Sequence, residues 1–463
     1  MLVDRYPPVD LFALVPTRLC QFEPVLRELD HLLEDDAIFQ GIRADLAQRA
    51  PNTLRRGRPS TPVAVILRLL VVKRLYGWSY EEVERFVSDS LVLRQFCRVY
   101  LHRVPDDTTL LRWANLIEPA TLVSLNERVV ALARQLKVTR GRKLRVDSTV
   151  VETTIHHPSD SRLLGDGVRV LSRLLRRAKT ALKETADLGK AVFRTRTCSA
   201  RRLVQSLHRL GRRKGEAARQ AMRTAYTRLI AVAQKTRAQA ARVCAVLQTR
   251  RAAPARRLRE KFETFMPRLE QVIRQTVRRV LGGETVPAGE KIVSLFEPHT
   301  QIIVRHKAGK PVEFGHKLWL EEVDGGIVSG WRVLDQAGPD ATYLAPSLAA
   351  HQARFGQPPW LVAGDRSVFS CANEAHAKQI GVARVVLAAG GRANNAERIK
   401  MAKQGWFRRG FRFRAGIEGR ISVLQRCYGL DRCRDHGEAG LERWIGWGIV
   451  TANLTRMART LAG

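Results

Sequence analysis

The sequence predicts an α/β domain with a mixed sheet flanked by helices, together with an all-α N-terminal region and an all-α basic insertion. Apolar and polar residues alternate in "VEFGHKLWLEEV" (312–323), which is the period of a β-strand. Residues 161–285 are instead rich in Arg, Ala and Leu, with apolar residues every three or four positions, as in amphipathic helices. Residues 51–137 show helical patterns alone. We expect a segment 1–50, a helical domain 51–140, an α/β domain 141–160 plus 286–463, and an insertion 161–285.

The charge of the chain predicts a polyanionic partner. Lys and Arg number 80 against 44 Asp and Glu, so the formal net charge is +36 and the pI is near 11.1. Nucleic acid is the commonest polyanion that such a protein binds, and an anionic membrane surface is the alternative. The sequence holds no apolar run near the roughly 20 residues of a membrane helix and no secretory signal pattern. We therefore expect a cytoplasmic protein that binds nucleic acid and no membrane.

The helical region carries recognisable helix starts. Thr61 and Pro62 fit an N-cap and first helical position, and Ser79 with Glu82 fits a capping box. A later helix, in "PDDTTLLRWANLI" (105–117), is expected to have Asp107 or Thr108 as its N-cap. Short helices joined by tight turns favour a helix-turn-helix module that binds DNA. A small helical bundle without DNA contacts is the alternative, and the fold of residues 1–50 stays open.

The α/β domain is predicted from a succession of strands and helices. "DGG" (324–326) fits a hairpin turn, and "ATYLAPSLAAHQARF" (341–355) fits a helix. The apolar run "PPWLVAGD" predicts a buried strand that ends at Asp365, followed by a helix from about Asn373 and a short strand in "ARVVLAA" (383–389). "KLRVDSTVVETT" (143–154) fits another strand of the same sheet, which makes the basic helical block an insertion within this domain.

Three carboxylates are candidate site residues. Asp147 lies within a strand and Asp365 at the carboxyl end of another, where sites of open α/β sheets collect. Glu418 lies beside an apolar helical stripe that should face the sheet, made of Phe413, Ile417, Ile421, Leu424 and Tyr428. Convergent carboxylates suit Mg²⁺, and a pair of ions about 3.5–4 Å apart can activate a hydroxyl group for attack on a phosphodiester.

Each acid also has a purely structural interpretation. Asp147 could be a strand-edge acid, Asp365 a helix cap, and Glu418 an ion-pair partner of Arg414. The joint placement of the three favours a metal-dependent nuclease or phosphotransferase. The residue pattern by itself does not distinguish between these two classes of enzyme.

A family resemblance makes the expectation more specific. The chain resembles bacterial insertion-sequence transposases of the DDE type, close to the ISNCY group. The resemblance runs through most of the chain, in the order "GRPSTPVAVILRLLVVKRLYGWSYEEVERFV", "VPDDTTLLRWANLI", "LRVDSTVVETTIHHPSDSRLLGDGVRVL", "KAGKPVEFGHKLWLEEVDGGIVSGWRVL", "AGDRSVFS" and "AGIEGRISVLQRCYGLDRCRDHG". It implies an RNase H-like fold and a catalytic, metal-binding triad of Asp147, Asp365 and Glu418.

The same resemblance implies the reaction and the partners. Two Mg²⁺ or Mn²⁺ ions would support cleavage at the ends of the insertion sequence and attack of a 3′-hydroxyl on target DNA, without a covalent protein–DNA intermediate. The partners would be double-stranded DNA, as terminal inverted repeats and target, and further copies of the chain in a homodimer or larger oligomer associated with the bacterial nucleoid. A nuclease of the same fold that does not join strands, or a catalytically inactive DNA-binding regulator of its own element, are the alternatives.

The resemblance also points to DNA-contacting residues. Related transposases carry a Tyr, Arg, Glu, Lys signature on the helix of the third acid, where this chain has Phe411, Arg414, Glu418 and Gln425. Arg and Glu are retained, whereas Tyr and Lys are replaced. "WFRRGFRFR" (406–414) interleaves aromatic residues with arginines, which suits stacking on unpaired bases, although Trp406 also fits core packing. The candidate DNA-binding residues are Arg366, Trp406, Arg408, Arg409, Arg414 and Arg426, where Arg426 would substitute for the missing Lys and Arg366 would meet a phosphate or a neighbouring acid.

Overall fold

A computed structural model of the chain describes residues 1–7, 21–182, 190–307, 310–334, 339–388 and 396–463. The chain forms two compact units, the first made of Met1–Glu152 with His316–Gly463 and the second of Thr153–Gly315. Both α-helices and a mixed sheet are present, so the predicted α/β class is confirmed. The second unit contains the predicted insertion and extends beyond it at both ends.

Helices make up most of the described residues. The α-helices are α1 (Pro24–Leu32), α2 (Asp36–Ala47), α3 (Val63–Tyr76), α4 (Tyr80–Asp89), α5 (Leu91–Phe96), α6 (Asp107–Ala114), α7 (Pro119–Gln135), α8 (Asp160–Ala181), α9 (Thr197–Leu210), α10 (Glu216–Gln248), α11 (Ala253–Thr276), α12 (Leu344–Phe355), α13 (Cys371–Gln379), α14 (Ala396–Ala402), α15 (Gly405–Tyr428) and α16 (Glu438–Leu461). The strands are β1 (Lys143–Thr153), β2 (Gln301–Lys307), β3 (Lys310–Val323), β4 (Ile327–Leu334), β5 (Leu361–Gly364), β6 (Arg384–Leu387) and β7 (Arg432–Cys433). None of the described helices is long and apolar enough to span a membrane.

The helix starts of the N-terminal region agree with the sequence in one case and differ by one residue in two others. The capping box on α4 is confirmed, because the Glu82 amide donates to Ser79 Oγ at 3.2 Å and the Ser79 amide donates to the Glu82 carboxylate at 2.8 Å. Pro62, and not Thr61, is the N-cap of α3. The expected N-cap of α6, Asp107 or Thr108, is wrong, because Asp106 is the N-cap and accepts from the Thr109 amide at 2.7 Å.

The sheet of the first unit is ordered so that β1 lies between the β3–β4 hairpin and the strands β5 and β6. The order runs β4-β3-β1-β5-β6, and β7 also pairs with β1. β1 and β5 are parallel, as are β5 and β6, whereas β3 and β4 are antiparallel. The predicted turn joins β3 to β4, and its residues Gly325 and Gly326 have φ values of 83° and 77°, which glycine adopts without strain. The sheet therefore mixes both strand orientations, as predicted.

The N-terminal helices and the sheet of the first unit share one hydrophobic core. The long C-terminal helix α16 packs against α1, α3 and α7. The contact with α7 is close, because a Cβ added at Gly446 would lie 2.8 Å from Cβ of Leu122. The same core includes Leu144 and Val146 of β1. The central strand of the sheet is thus supported by helices from both ends of the chain.

Helix α15, which carries Glu418, packs against β5 and β6. Of the stripe predicted to face the sheet, Ile417, Leu424 and Tyr428 are buried and the two other members are partly buried. Close approach occurs at Gly410, where an added Cβ would lie 2.5 Å from Cγ2 of Val386. The predicted orientation of the helix is confirmed.

We expect Gly410→Ala to destabilise the first unit by about 1–3 kcal/mol, because the added methyl group overpacks the contact with the branched, buried Val386 side chain. Urea unfolding followed by circular dichroism measures the effect. The matched control is Gly419→Ala on the same helix, where an added Cβ meets nothing within 4 Å. That change should be neutral or stabilise by up to roughly 1 kcal/mol, since Ala is the better helix former. Equal effects at both positions would contradict the close contact.

The second unit is built around its four α-helices, with β2 and the N-terminal half of β3 paired in antiparallel orientation. The helices α8, α10 and α11 enclose a separate hydrophobic core that includes Leu171, Leu229 and Phe262. Many of its arginines are exposed, among them Arg201, Arg202, Arg212, Arg213, Arg250, Arg251, Arg256 and Arg257. The amphipathic pattern in the sequence thus corresponds to helices with an apolar interior and a strongly basic surface.

Candidate active site

Two of the three predicted acids lie at the same edge of the sheet, Asp147 on β1 and Asp365 directly after β5. Arg145 of β1 pairs with Ala363 of β5. Two residues further in the same direction are Asp147 on β1 and Asp365, which follows the last residue of β5. The register of a parallel pair therefore brings these two carboxylates to the same edge, as the sequence predicts.

Asp365 is held by the turn that leaves β5. Its Oδ1 accepts hydrogen bonds from the Ser367 amide at 2.9 Å and the Val368 amide at 3.2 Å. The Ser367 hydroxyl donates to the same oxygen at 2.6 Å. These bonds fix the carboxylate, which fits the structural role of a cap as well as the positioning of a catalytic group.

Asp147 lies in a low-dielectric and electronegative environment. Its side chain is 13% exposed, and its Oδ1 accepts from the Ser148 amide at 2.7 Å. Burial raises the pKa of Asp147 to about 6, and the neighbouring carboxylates of Asp365 and Asp340 act in the same direction. Arg414 opposes the shift. A cation at this position would stabilise the ionised carboxylates, because it relieves their repulsion.

Glu418 does not join the two aspartates directly. Its side chain is 67% exposed, and it accepts a hydrogen bond from Nη1 of Arg414 at 2.9 Å. Nη2 of Arg414 lies 3.6 Å from Oδ2 of Asp147, so the guanidinium stands between the two carboxylates. Among the described residues, no three His, Cys, Asp or Glu side chains are placed so that they could hold one metal ion. The ion pair that the sequence left open as an alternative is thus present.

Asp340 is a fourth acid of this site, and the sequence analysis missed it. It is buried, pairs with Lys317 of β3, and accepts from the hydroxyls of Ser148 at 3.1 Å and Ser367 at 2.8 Å. The Ser367 hydroxyl thus lies within hydrogen-bond distance of both Asp340 and Asp365, and its single proton can be donated to one of them at a time. In the sequence Asp340 follows a proline at the start of a helical turn, where an acid is ordinary, so no local signal marks it.

The remaining residues of the third-acid helix differ in their exposure. Phe411 is exposed, whereas Nε2 of Gln425 donates to Thr149 Oγ1 of β1 at 3.1 Å. Gln425, which replaces the Lys of the signature, is thus in contact with the strand that carries Asp147. Arg426, next to it, is exposed.

The aromatic and basic segment that precedes Glu418 offers cations to solvent. Arg408 and Arg409 are exposed, as is Arg366 in the turn after β5. Trp406 is half-buried, with the Arg384 guanidinium 4.5 Å from its ring centroid and the Phe407 ring at 5.5 Å. Its indole is therefore partly engaged in packing, the alternative that the sequence left open.

The donor set at Asp147 and Asp365 suits a hard divalent cation. Both offer carboxylate oxygens, which Mg²⁺ prefers, and Mg²⁺ sites usually combine one or two carboxylates with water and substrate phosphate. Burial, and to a smaller extent repulsion from Asp365 and Asp340, raises the pKa of Asp147, and a bound cation would favour its ionised form. Glu418 lies on the other side of Arg414, so a third carboxylate ligand would require that this ion pair open.

Comparison with known proteins gives two matches. Residues 15–116 match the family described as "Transposase domain (DUF772)", which is 102 of the 463 residues. A Rhizobium meliloti protein named "Uncharacterized protein ORF8 in nfe locus" is 34% identical over 130 residues, 27% of this chain. This chain spans 61% of the length of that relative. No solved structure matches the chain. These matches support the resemblance to bacterial insertion-sequence transposases, and the similarity to a transposase domain lies in residues 15–116.

Proposed function

Because residues 15–116 match a transposase domain, we propose that this protein is a DNA transposase that cuts the ends of its insertion sequence and joins them to target DNA. The observation that carries the proposal is the pair Asp147 and Asp365 in a chain of net charge +36: Asp147 lies on β1, and Asp365 follows the end of its parallel neighbour β5. Paired carboxylates supply the ligands for phosphodiester chemistry. The basic surface supplies affinity for the DNA backbone.

In this proposal Asp147 and Asp365 hold the divalent cation, and Glu418 contributes the third carboxylate. When bound, Mg²⁺ or Mn²⁺ lowers the pKa of a hydroxyl nucleophile and stabilises the leaving oxygen, with two ions sharing these tasks. Hydrolysis breaks the bond between phosphorus and the 3′ oxygen at the element's end and leaves a 3′-hydroxyl. That hydroxyl then forms a new bond to a target phosphorus, while the target's own 3′ oxygen leaves.

Arginines of the first unit would bind the DNA near the cut. Arg414 would exchange its carboxylate partners for a phosphate, which would release Glu418. Arg426, Arg408 and Arg409 on α15 and Arg366 in the turn after β5 would contact the backbone, and the partly exposed face of Trp406 would stack on an unpaired base. A helix-turn-helix module within the helical domain 51–140 would bind the terminal repeats, and a homodimer or larger oligomer would hold two ends together.

An RNase H-like fold for the α/β part belongs to the same proposal. Support comes from the sheet order, in which the strand of the first acid is central and the second acid follows its parallel neighbour. Further support comes from the helix of the third acid, which packs on the two parallel strands.

A catalytically inactive DNA-binding regulator is the second candidate. It is favoured by one observation, the Arg414–Glu418 ion pair, which leaves the acids without a three-carboxylate group in the described residues. A regulator would need the basic surface and not the acids.

Incubation of the purified full chain with a plasmid that carries its gene and native flanking DNA tests the proposal. Mg²⁺ should produce breaks at the element's ends and joined products in a second plasmid, and EDTA should abolish both. Breaks without joined products would indicate a nuclease. Specific binding of the ends without any break would indicate the regulator.

A further inference from the structure

A cavity in the first unit, separate from the acids, is lined by basic and aromatic side chains. It has a volume of about 520 Å³ and lies beside the C-terminal end of α15. Its walls come from the end of α3, the start of α4, residues 425–435 and α16. We call it the Lys73 cavity, after the lysine in its wall. Its volume falls in the range of small-molecule sites, roughly 300–1,000 Å³.

Two adjacent cations in this wall are almost fully buried. Lys73 is 7% exposed and Arg74 is 6% exposed. The Lys73 ammonium lies 4.4 Å from the ring centroid of Tyr80 and 5.1 Å from that of Trp444. The Arg74 guanidinium lies 3.5 Å from the Trp444 ring and donates to the Trp444 carbonyl at 3.1 Å. Aromatic faces thus contact both cations.

Neither cation has a carboxylate partner in the described part of the chain, and Lys73 makes no hydrogen bond there. A buried ammonium with three unused donors is costly unless an acceptor reaches it. Arg74 uses one of five donors on a carbonyl, which leaves most of the guanidinium for another acceptor. An ammonium without an acceptor lies beside a guanidinium that uses one of its five donors, and both line one cavity. This arrangement points to an anionic ligand.

The other charged groups of the cavity do not cancel this charge. Arg426 and Arg434 also line it, as do Asp431 and Asp435. Burial and the neighbouring Arg74 lower the pKa of Lys73 to about 7, although Asp435 acts in the opposite direction. The acids therefore compensate the buried ammonium only in part.

We propose that the Lys73 cavity binds a phosphate group carried by a nucleotide, with Lys73 and Arg74 as its buried contacts and Arg434 at the rim. A phosphate presents several acceptor oxygens, which suits an ammonium and a guanidinium together. The remaining volume, walled by aromatic rings, accommodates a sugar and a base. The nucleotide belongs to a DNA strand, an assignment that rests on the proposed function, or it is a free mononucleotide.

Thermal unfolding and calorimetric titration of the full chain with 2′-deoxyadenosine 5′-monophosphate test the phosphate site. The monophosphate should raise the unfolding temperature by linkage, whereas deoxyadenosine should not. Lys73→Met should weaken the monophosphate affinity by roughly tenfold or more, because it removes a charge-assisted hydrogen bond. The matched control is Lys137→Met, the same substitution at an exposed lysine outside the cavity. If Lys73→Met does not fold, Arg434→Met at the exposed rim takes its place, with a smaller expected loss.

A short DNA duplex identifies the source of the phosphate. If DNA supplies it, the duplex should displace the monophosphate, and Lys73→Met should lose more duplex affinity than Lys137→Met. If the duplex binds both variants equally and leaves the monophosphate bound, the ligand is a free nucleotide. The proposal is overturned if the monophosphate does not bind, or if it binds Lys73→Met as tightly as the wild type. These readouts need no DNA cleavage, so they are independent of whether the protein is an active transposase.

Discussion

Asp147→Asn is expected to lower the rate of metal-dependent DNA cleavage by about a thousandfold or more. It is also expected to stabilise the metal-free protein at neutral and alkaline pH. The loss of activity follows from the proposed function, because an amide is a poor ligand for a divalent cation that stabilises the reacting phosphate by several kcal/mol. The gain in stability follows from the buried carboxylate, which Asn replaces with a neutral side chain of the same shape.

The sign of the pH effect is set by the pKa of Asp147. Its value is raised from 3.8 to about 6 in the folded chain, so the folded state favours the protonated acid. Ionised Asp147 destabilises the folded wild type. This destabilisation is absent at pH values below the pKa of the unfolded chain, grows between that pKa and the folded value, and is complete above about pH 6. With EDTA present at about pH 8, Asp147→Asn should therefore unfold at a higher temperature than the wild type. Its free energy of unfolding should exceed that of the wild type by no more than about 3 kcal/mol. The difference should narrow as the pH falls toward 5.

Cleavage of the end-bearing plasmid and thermal unfolding, measured on the same preparations, check both parts. The control is Asp36→Asn, at the exposed first residue of α2. Cleavage should not change, and stability should fall by no more than about 1 kcal/mol, because the charge near the helix N-terminus is lost. Cleavage that persists in Asp147→Asn would show that another acid is essential, and Asp340 would then be the next to replace. Lost cleavage together with lowered stability at every pH would point to a structural role for Asp147.

The placement of Asp147 and Asp365 could be predicted from the sequence because it depends on local patterns. Each acid is tied to an apolar run that can be recognised as a strand, and parallel strands bring their carboxyl ends to one edge. The face of α15 was predictable for the same reason, since helical periodicity fixes which positions are buried.

The surroundings of these acids could not be predicted, because they depend on tertiary contacts between distant segments. Asp340 is bound by Lys317, Ser148 and Ser367, which lie on three different elements. The sequence predicts the N-cap of α6 at least one residue too late, because Asp106, Asp107 and Thr108 follow one another and have similar capping ability. The buried pair Lys73 and Arg74 lies in the last turn of α3, where basic residues are ordinary, so nothing local marks it as buried.

Glu322→Ala is expected to destabilise the first unit by about 3–5 kcal/mol, the largest effect on stability that we expect from one substitution. Glu322 of β3 is 1% exposed and binds Arg145 of β1 through both oxygens, at 2.8 and 2.7 Å. Nε of Arg420 on α15 lies 3.3 Å from the same carboxylate. Removal of the acid leaves two mostly buried guanidinium groups facing each other without their carboxylate, which costs more than the ion pair itself contributes.

The same carboxylate joins three elements of the candidate site, which gives the substitution a second consequence. Arg145 lies two residues before Asp147 and also donates to the carbonyl of Phe413 on α15, so Glu322 orients the arginine that connects β1 to the helix of Glu418. Glu322→Ala should therefore reduce cleavage even at temperatures where the chain stays folded, whereas Glu322→Gln should retain part of the hydrogen bonding and lie between wild type and Ala.

Urea unfolding of the two variants against Asp4→Ala provides the measurement. Asp4 pairs with Arg43 at 2.8 Å near the surface, where loss of an ion pair costs no more than about 1 kcal/mol. A loss for Glu322→Ala as small as that of Asp4→Ala would mean that water reaches the two arginines and replaces the acid. If stability falls strongly and the folded fraction still cleaves DNA normally, Glu322 contributes to the stability of the fold and not to cleavage. We expect stability and cleavage both to fall, less in Glu322→Gln than in Glu322→Ala. This result would indicate that the buried ion pair sets the distance between β1 and α15, on which the placement of the acids depends.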